Sequence, residues 1–113
     1  MITLIKISGT TIAMTRGDTL RVVLELKDEN DNTYVPQSDD RIRFAMKKFY
    51  DDVTPLVIKE IPNDTLELVL EPEDTKHLPQ PSSYVYDIQI TYANGDVDTF
   101  IDRAKIKLTE EVY

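Results

Sequence analysis

Apolar and polar residues alternate along most of this 113-residue chain, the signature of strands that turn one face to a core. Leu20, Val22, Leu24 and Leu26 alternate with Arg21, Val23, Glu25 and Lys27, and Ile42, Phe44 and Met46 with Arg41, Arg43 and Lys47. Leu66, Leu68 and Leu70 enclose Glu67 and Val69, and Tyr84, Tyr86, Ile88, Ile90 and Tyr92 enclose Val85, Asp87, Gln89 and Thr91. These runs predict four strands. Shorter alternations predict further strands over 2–7, 11–14, 56–59, 97–101 and 104–108.

Turn formers separate the runs: Gly9, Gly17-Asp18, the polar stretch 28–32, the stretch 36–40, Pro62-Asn63-Asp64, the stretch 79–83 and Asn94-Gly95. Asn94-Gly95 predicts a two-residue type I′ hairpin between strands ending near Tyr92 and beginning near Asp96, because both central residues tolerate positive φ. One segment breaks the pattern. From Glu71 to Leu78 the chain has Pro72 and acids first, then Lys76 and His77, which suits a short helical turn near residues 72–77. Short strands, frequent punctuation and no long helical period predict an all-β antiparallel sandwich, with a single domain spanning residues 1–113.

Composition narrows the chemistry. Leu, Ile, Val and Phe make up 33 residues, enough for a globular core. The 21 acidic and 13 basic residues give a net charge of −8, which argues against nucleic-acid binding. Residues 1–56 hold eight basic and nine acidic groups and 57–113 hold five and twelve, so the excess lies in the second half. There is no Cys, hence no disulfide, thiol nucleophile or thiolate metal site. No apolar run approaches the roughly 20 residues of a membrane span, and the first residues lack the basic-then-apolar layout of a signal peptide.

Catalytic and ligand-binding arrangements are sparse. His77 is the sole imidazole. Asp74 precedes it by three residues, but no strand-turn-helix elbow surrounds Ser8, Ser38, Ser82 or Ser83, so His77 reads as a helix cap. The acidic pairs Asp39-Asp40, Asp51-Asp52, Glu73-Asp74 and Asp96 with Asp98 fall in turn segments, where carboxylates are solvated rather than poised across a cleft. Asp28, Asn30 and Asn32 match the start of a calcium loop, but Thr33 stands where Gly is needed and Asp39 where a bidentate Glu is needed. Arg16-Gly17-Asp18 reads as the turn before a strand rather than as a displayed integrin-type tripeptide. The expectation is no catalytic residue, no metal and no cofactor. With Tyr84, Tyr86 and Tyr92 assigned to the core, Tyr34, Tyr50 and Tyr113 remain as the thin basis of an alternative, a host-surface carbohydrate-binding module.

Tyr84 and Tyr86 follow the helical turn, where immunoglobulin-like sandwiches place a structural tyrosine corner on their penultimate strand. The order of motifs extends this likeness: Arg16-Gly17-Asp18-Thr19, then the run Ile42 to Lys48, Leu70 to Thr75, Leu78-Pro79, Tyr84 to Ile88, and Gly95 with Thr99. From about residue 14 onward the chain resembles small phage and prophage structural proteins, similar to the immunoglobulin-like N-terminal domain of phage upper baseplate and tail receptor-binding proteins. It departs from them at Asp31-Asn32 and Pro81-Ser82-Ser83, where members often carry Gly. The resemblance implies a virion or tail component made in the bacterial cytoplasm and then built into the particle, with other tail or virion proteins as partners and no catalytic residues. Self-association is a further expectation: the first or last strand is the expected edge, and Ile2, Leu4, Ile5 and Ile7 offer more apolar groups than one sheet face buries, so part of the first strand is expected to meet a partner.

Overall fold

A computed structural model describes residues 7–8, 11–27, 30, 32–78 and 82–109. The elements in chain order are β1 (Ile7–Ser8), β2 (Thr11–Thr15), β3 (Leu20–Val23), β4 (Arg41–Lys47), β5 (Val57–Ile61), β6 (Glu67–Leu70), α1 (Pro72–Lys76), β7 (Ser82–Thr91) and β8 (Val97–Thr109). Strands dominate, and they form two sheets. The larger runs β8-β7-β4-β5 in antiparallel order, but the wholly antiparallel pairing that the sequence pattern predicts does not hold: β1 and β2 both pair in parallel along the free side of β8. The smaller sheet is the antiparallel pair β3-β6.

The predicted alternation decides which side chains meet. Ile42, Phe44 and Met46 of β4, Tyr84, Tyr86, Ile88 and Ile90 of β7, and Ala104, Ile106 and Leu108 of β8 are all buried. They join Leu68 and Leu70 of β6 in one hydrophobic cluster, with Leu20 and Leu24 packed against it. Both sheets therefore feed one core. Phe44 and Tyr86 anchor it with ring centroids 5.3 Å apart, a spacing at which aromatic pairs attract beyond simple burial.

Four local features differ from the sequence expectation. β3 ends at Val23, although the alternation runs on to Lys27. The strands expected at 97–101 and 104–108 are one strand, β8. Its register against β7 shifts between Tyr86 and Ile88 and again between Ile88 and Gln89, so each irregularity adds a residue on β8 and resets its alternation. The strand expected from Leu66 begins at Glu67, because Leu66 takes a left-handed conformation (φ 55°) and its N–H closes a turn onto the Pro62 carbonyl at 2.9 Å. The Asn94-Gly95 hairpin exists, but its loop spans Ala93, Asn94 and Gly95. Tyr92 N–H donates to the Asp96 carbonyl, Gly95 N–H donates to the Tyr92 carbonyl, and Gly95 alone has positive φ, at 92°. This is the three-residue alternative to the type I′ turn.

The helical turn lies as expected. The Asp74 carboxylate accepts from the Glu71 N–H at 2.7 Å, Pro72 occupies the first turn, and His77 caps the end. Asp74 also pairs with Lys59 of β5 at 2.8 Å, which ties the helix to the edge of the larger sheet.

Candidate protein-docking face

The alternation that buries one face of the larger sheet leaves the other to solvent. On β4 this outer face carries Arg41, Arg43, Ala45 and Lys47, on β7 Ser83, Val85, Asp87 and Gln89, on β8 Lys105 and Lys107, and on β5 Ile58 and Glu60. The register sets Val85 between Lys47 and Lys105, and Ala45 between Ile58 and Asp87. Arg41 pairs with Glu60 at 3.3 Å. Among the described residues, Arg43, Lys47, Lys105 and Lys107 make no ion pair. An acidic protein thus keeps a cluster of unpaired cations on one sheet face.

The loop from β4 to β5 overhangs this face. Its shape comes from Asp52, whose carboxylate accepts the Phe49 N–H at 3.0 Å while its own N–H donates to the Phe49 carbonyl at 3.1 Å. Lys48, the residue after β4, holds its ammonium 4.8 Å from the centre of the Tyr84 ring. Phe49, Tyr50, Val53, Leu56 and Ile58 stand exposed, Val53 by 93%. Between loop and sheet runs a trough of about 250 Å³ lined by Arg43, Ala45, Lys47, Pro55, Ile58, Asp87 and Gln89. It continues past Tyr50 and Val85 into a smaller depression. Ala45 keeps the floor low, and Arg43 and Lys47 stand at its two ends.

The positions singled out from sequence are distributed differently. Tyr34 is a core residue and not a surface aromatic. Its ring meets Tyr92 edge-on at 6.2 Å, and its hydroxyl donates to Asp40 Oδ2 at 2.5 Å. Asp40 is itself buried and also accepts the Gln37 N–H at 2.9 Å, while Asn63 donates to the carbonyls of Asp40 and Gln37. Burial, followed by the bond to Asp40 and its charge, raises the Tyr34 pKa well above the phenolic value. Burial raises Tyr92 to about 12, helped by Asp98, and it also raises Tyr86. The wide depression between Ser38–Arg41 and Glu60–Asn63 borders this network, so several of its polar groups already serve the fold. Tyr50 is exposed beside the trough, and Tyr113 lies outside the described residues.

Arg16-Gly17-Asp18 forms a turn, as its sequence context predicts. Gly17 adopts φ 83°, its N–H donates to the Thr75 hydroxyl at 2.8 Å, and Arg16 donates to the Lys76 carbonyl at 3.1 Å and the Leu78 carbonyl at 3.4 Å. The guanidinium meets the negative end of the helix, where cations are favoured. His77 is exposed, and the Asp74 carboxylate is taken up by Lys59 and the Glu71 backbone. Of the calcium-like stretch, Asp28, Glu29 and Asp31 lie outside the described residues. Among the described residues no cluster of three or more His, Asp or Glu is placed to hold a metal ion, and no helix is long and apolar enough to cross a membrane.

Tyr84 and Tyr86, the expected corner pair, are both buried on β7. Of the expected interaction edge, Ile2, Leu4 and Ile5 lie outside the described residues, and Ile7 belongs to β1, paired with Ile101 at the rim of the larger sheet. The final strand is interior, flanked by β1 and β2 on one side and β7 on the other; the opposite rim is β5. The cationic face was legible in the alternate positions Arg41, Arg43 and Lys47, then Lys105 and Lys107. The sum of their charges emerges only when strands far apart in sequence lie side by side. No protein-family model matches the chain, and a search of curated proteins finds no match.

Proposed function

We propose that this chain is a structural module of a phage or prophage particle, associated with the tail, that works by docking to other virion proteins through the β4–β5 side of an immunoglobulin-like sandwich. The observation that carries the docking role is the clustering of exposed apolar groups. Of the eight large apolar side chains exposed among the described residues, Phe49, Tyr50, Val53, Leu56 and Ile58 fall within one loop and the strand after it. Scattered exposed apolar residues are ordinary, whereas a contiguous patch at a sheet edge marks a protein contact.

The sandwich reading draws support from strand order. Immunoglobulin-like domains put the second and fifth strands of their seven-strand plan in one sheet, with the third, sixth and seventh in the other, and variable-type members add a strand beside the third. Here β3 and β6 form one pair, while β8, β7, β4 and β5 lie side by side in the other sheet. The assignment to a virion comes from the motif order, strongest between Leu70 and Ile88.

Quantitative mass spectrometry of purified particles from the encoding bacterium tests the proposal. The chain is expected at a fixed copy number relative to the tail proteins, and its absence from particles overturns the virion role. The carbohydrate alternative loses Tyr34 to the core, and no other observation favours it.

A further inference from the structure

The exposed loop says that something docks, and the sheet face beside it says what kind of partner. We propose that the trough over Ala45 binds an extended acidic segment of a partner protein, with two carboxylates flanking one apolar side chain; this rests on the docking role proposed above.

Arg43 and Lys47 lie two residues on either side of Ala45 on the same face of β4. At about 3.4 Å per residue they are about 14 Å apart along the strand, with Ala45 midway. An extended segment lying along β4 has the same repeat, so acids at its positions i and i+4 meet the two cations while the residue at i+2 sits over Ala45. Pro55, Ile58 and Tyr50 form an apolar wall for that central side chain, and Lys105, across Val85 from Lys47, widens the positive field.

Asp87 in the floor disfavours a continuous polyanion, and the overall charge of −8 repels a phosphate backbone. A partner with separated carboxylates and an apolar residue between them fits both signs. A second copy meeting this face with its own identical face is disfavoured, because a two-fold contact sets the same cations against one another.

The test is an NMR titration of the ¹⁵N-labelled full chain with the capped peptide Gly-Glu-Ser-Leu-Ser-Glu-Gly, in parallel with its Glu-to-Lys version and a short DNA duplex. Shifts are expected at Ala45, Lys47, Tyr50, Val85 and Asp87 with the acidic peptide alone, weakening as salt rises. The double variant Arg43→Glu with Lys47→Glu is expected to bind roughly tenfold or more weakly. Arg43 is exposed and Lys47 half-buried, and neither makes an ion pair among the described residues, so its thermal melt should stay close to that of the parent, and Lys105→Glu gives an independent, smaller loss. The proposal is overturned by the absence of shifts at millimolar peptide, by equal shifts with the Lys peptide, by stronger perturbation of the same residues by DNA, or by unchanged binding of the charge-reversed variant. Absence of the chain from particles removes the virion role and leaves the peptide result standing, so the two failures are distinguishable.

Discussion

Replacing Tyr34 with Phe removes one oxygen from the interior and isolates a single contact. The hydroxyl donates to buried Asp40 at 2.5 Å, and the carboxylate retains only the Gln37 N–H among its described donors once that hydroxyl is gone. Hydrogen bonds to charged groups contribute about 1.5–3 kcal/mol. With the ring and its contact to Tyr92 preserved, the expected loss is about 2 kcal/mol. For a domain of this size, with a urea dependence of about 1.5 kcal/mol/M, the unfolding midpoint falls by about 1.3 M.

The pH dependence has a definite sign. Tyr34 is neutral when bonded, and its folded pKa lies above the ordinary 10.0. Its contribution is therefore fully present below pH 10 and is lost as pH rises from there toward the folded value. Urea melts followed by circular dichroism at neutral pH and at about pH 11 should give a stability difference between parent and variant that shrinks at the higher pH. A difference below about 0.5 kcal/mol at neutral pH, or one that stays constant into the alkaline range, refutes the reasoning.

Other substitutions test separate contacts. Thr75→Val keeps the shape of a fully buried residue but strands the Gly17 N–H; it should cost about 1–2 kcal/mol in urea melts, whereas Thr75→Ser should retain the bond. Gly95→Ala meets no atom within 4 Å, yet Gly95 sits at φ 92°, so calorimetry should register a cost of about 1 kcal/mol from backbone conformation alone. A double-mutant cycle of Lys59→Met with Asp74→Asn should give a coupling of about 1 kcal/mol, above the usual surface pair because both side chains are mostly buried.

How far the sequence could be read depended on what each feature needed. β4 and β7 were legible because Ile42 to Met46 and Tyr84 to Ile90 keep a strict two-residue period, and burial of one face demands nothing else. The helical turn was legible from Pro72, the early acids and His77, since helix ends are decided by local chemistry. β8 was misread as two strands because its irregular register against β7 interrupts that period. Tyr34 was misplaced for a different reason. Flanked by Thr33 and Val35 after a polar stretch, it carries no periodic signal, and only the fold brings Asp40 and Tyr92 to it. The cationic sheet face was half visible: its charges were evident strand by strand, but their sum, and the loop beside them, required the register.

The parallel pairing along β8 has a mechanical meaning. β1 and β2 run in the same direction as β8 and contribute seven register pairs, from Ile7 with Ile101 to Thr15 with Thr109. Tension that enters ahead of β1 and leaves beyond β8 pulls these strands along their length in opposite directions. The backbone bonds are then loaded together in shear rather than opened one after another from an end. In a module built this way a pulling force passes along a short rim between β1, β2 and β8, and because Met14 of β2 and Ala104, Ile106 and Leu108 of β8 belong to the core, it reaches the interior as shear rather than as peeling.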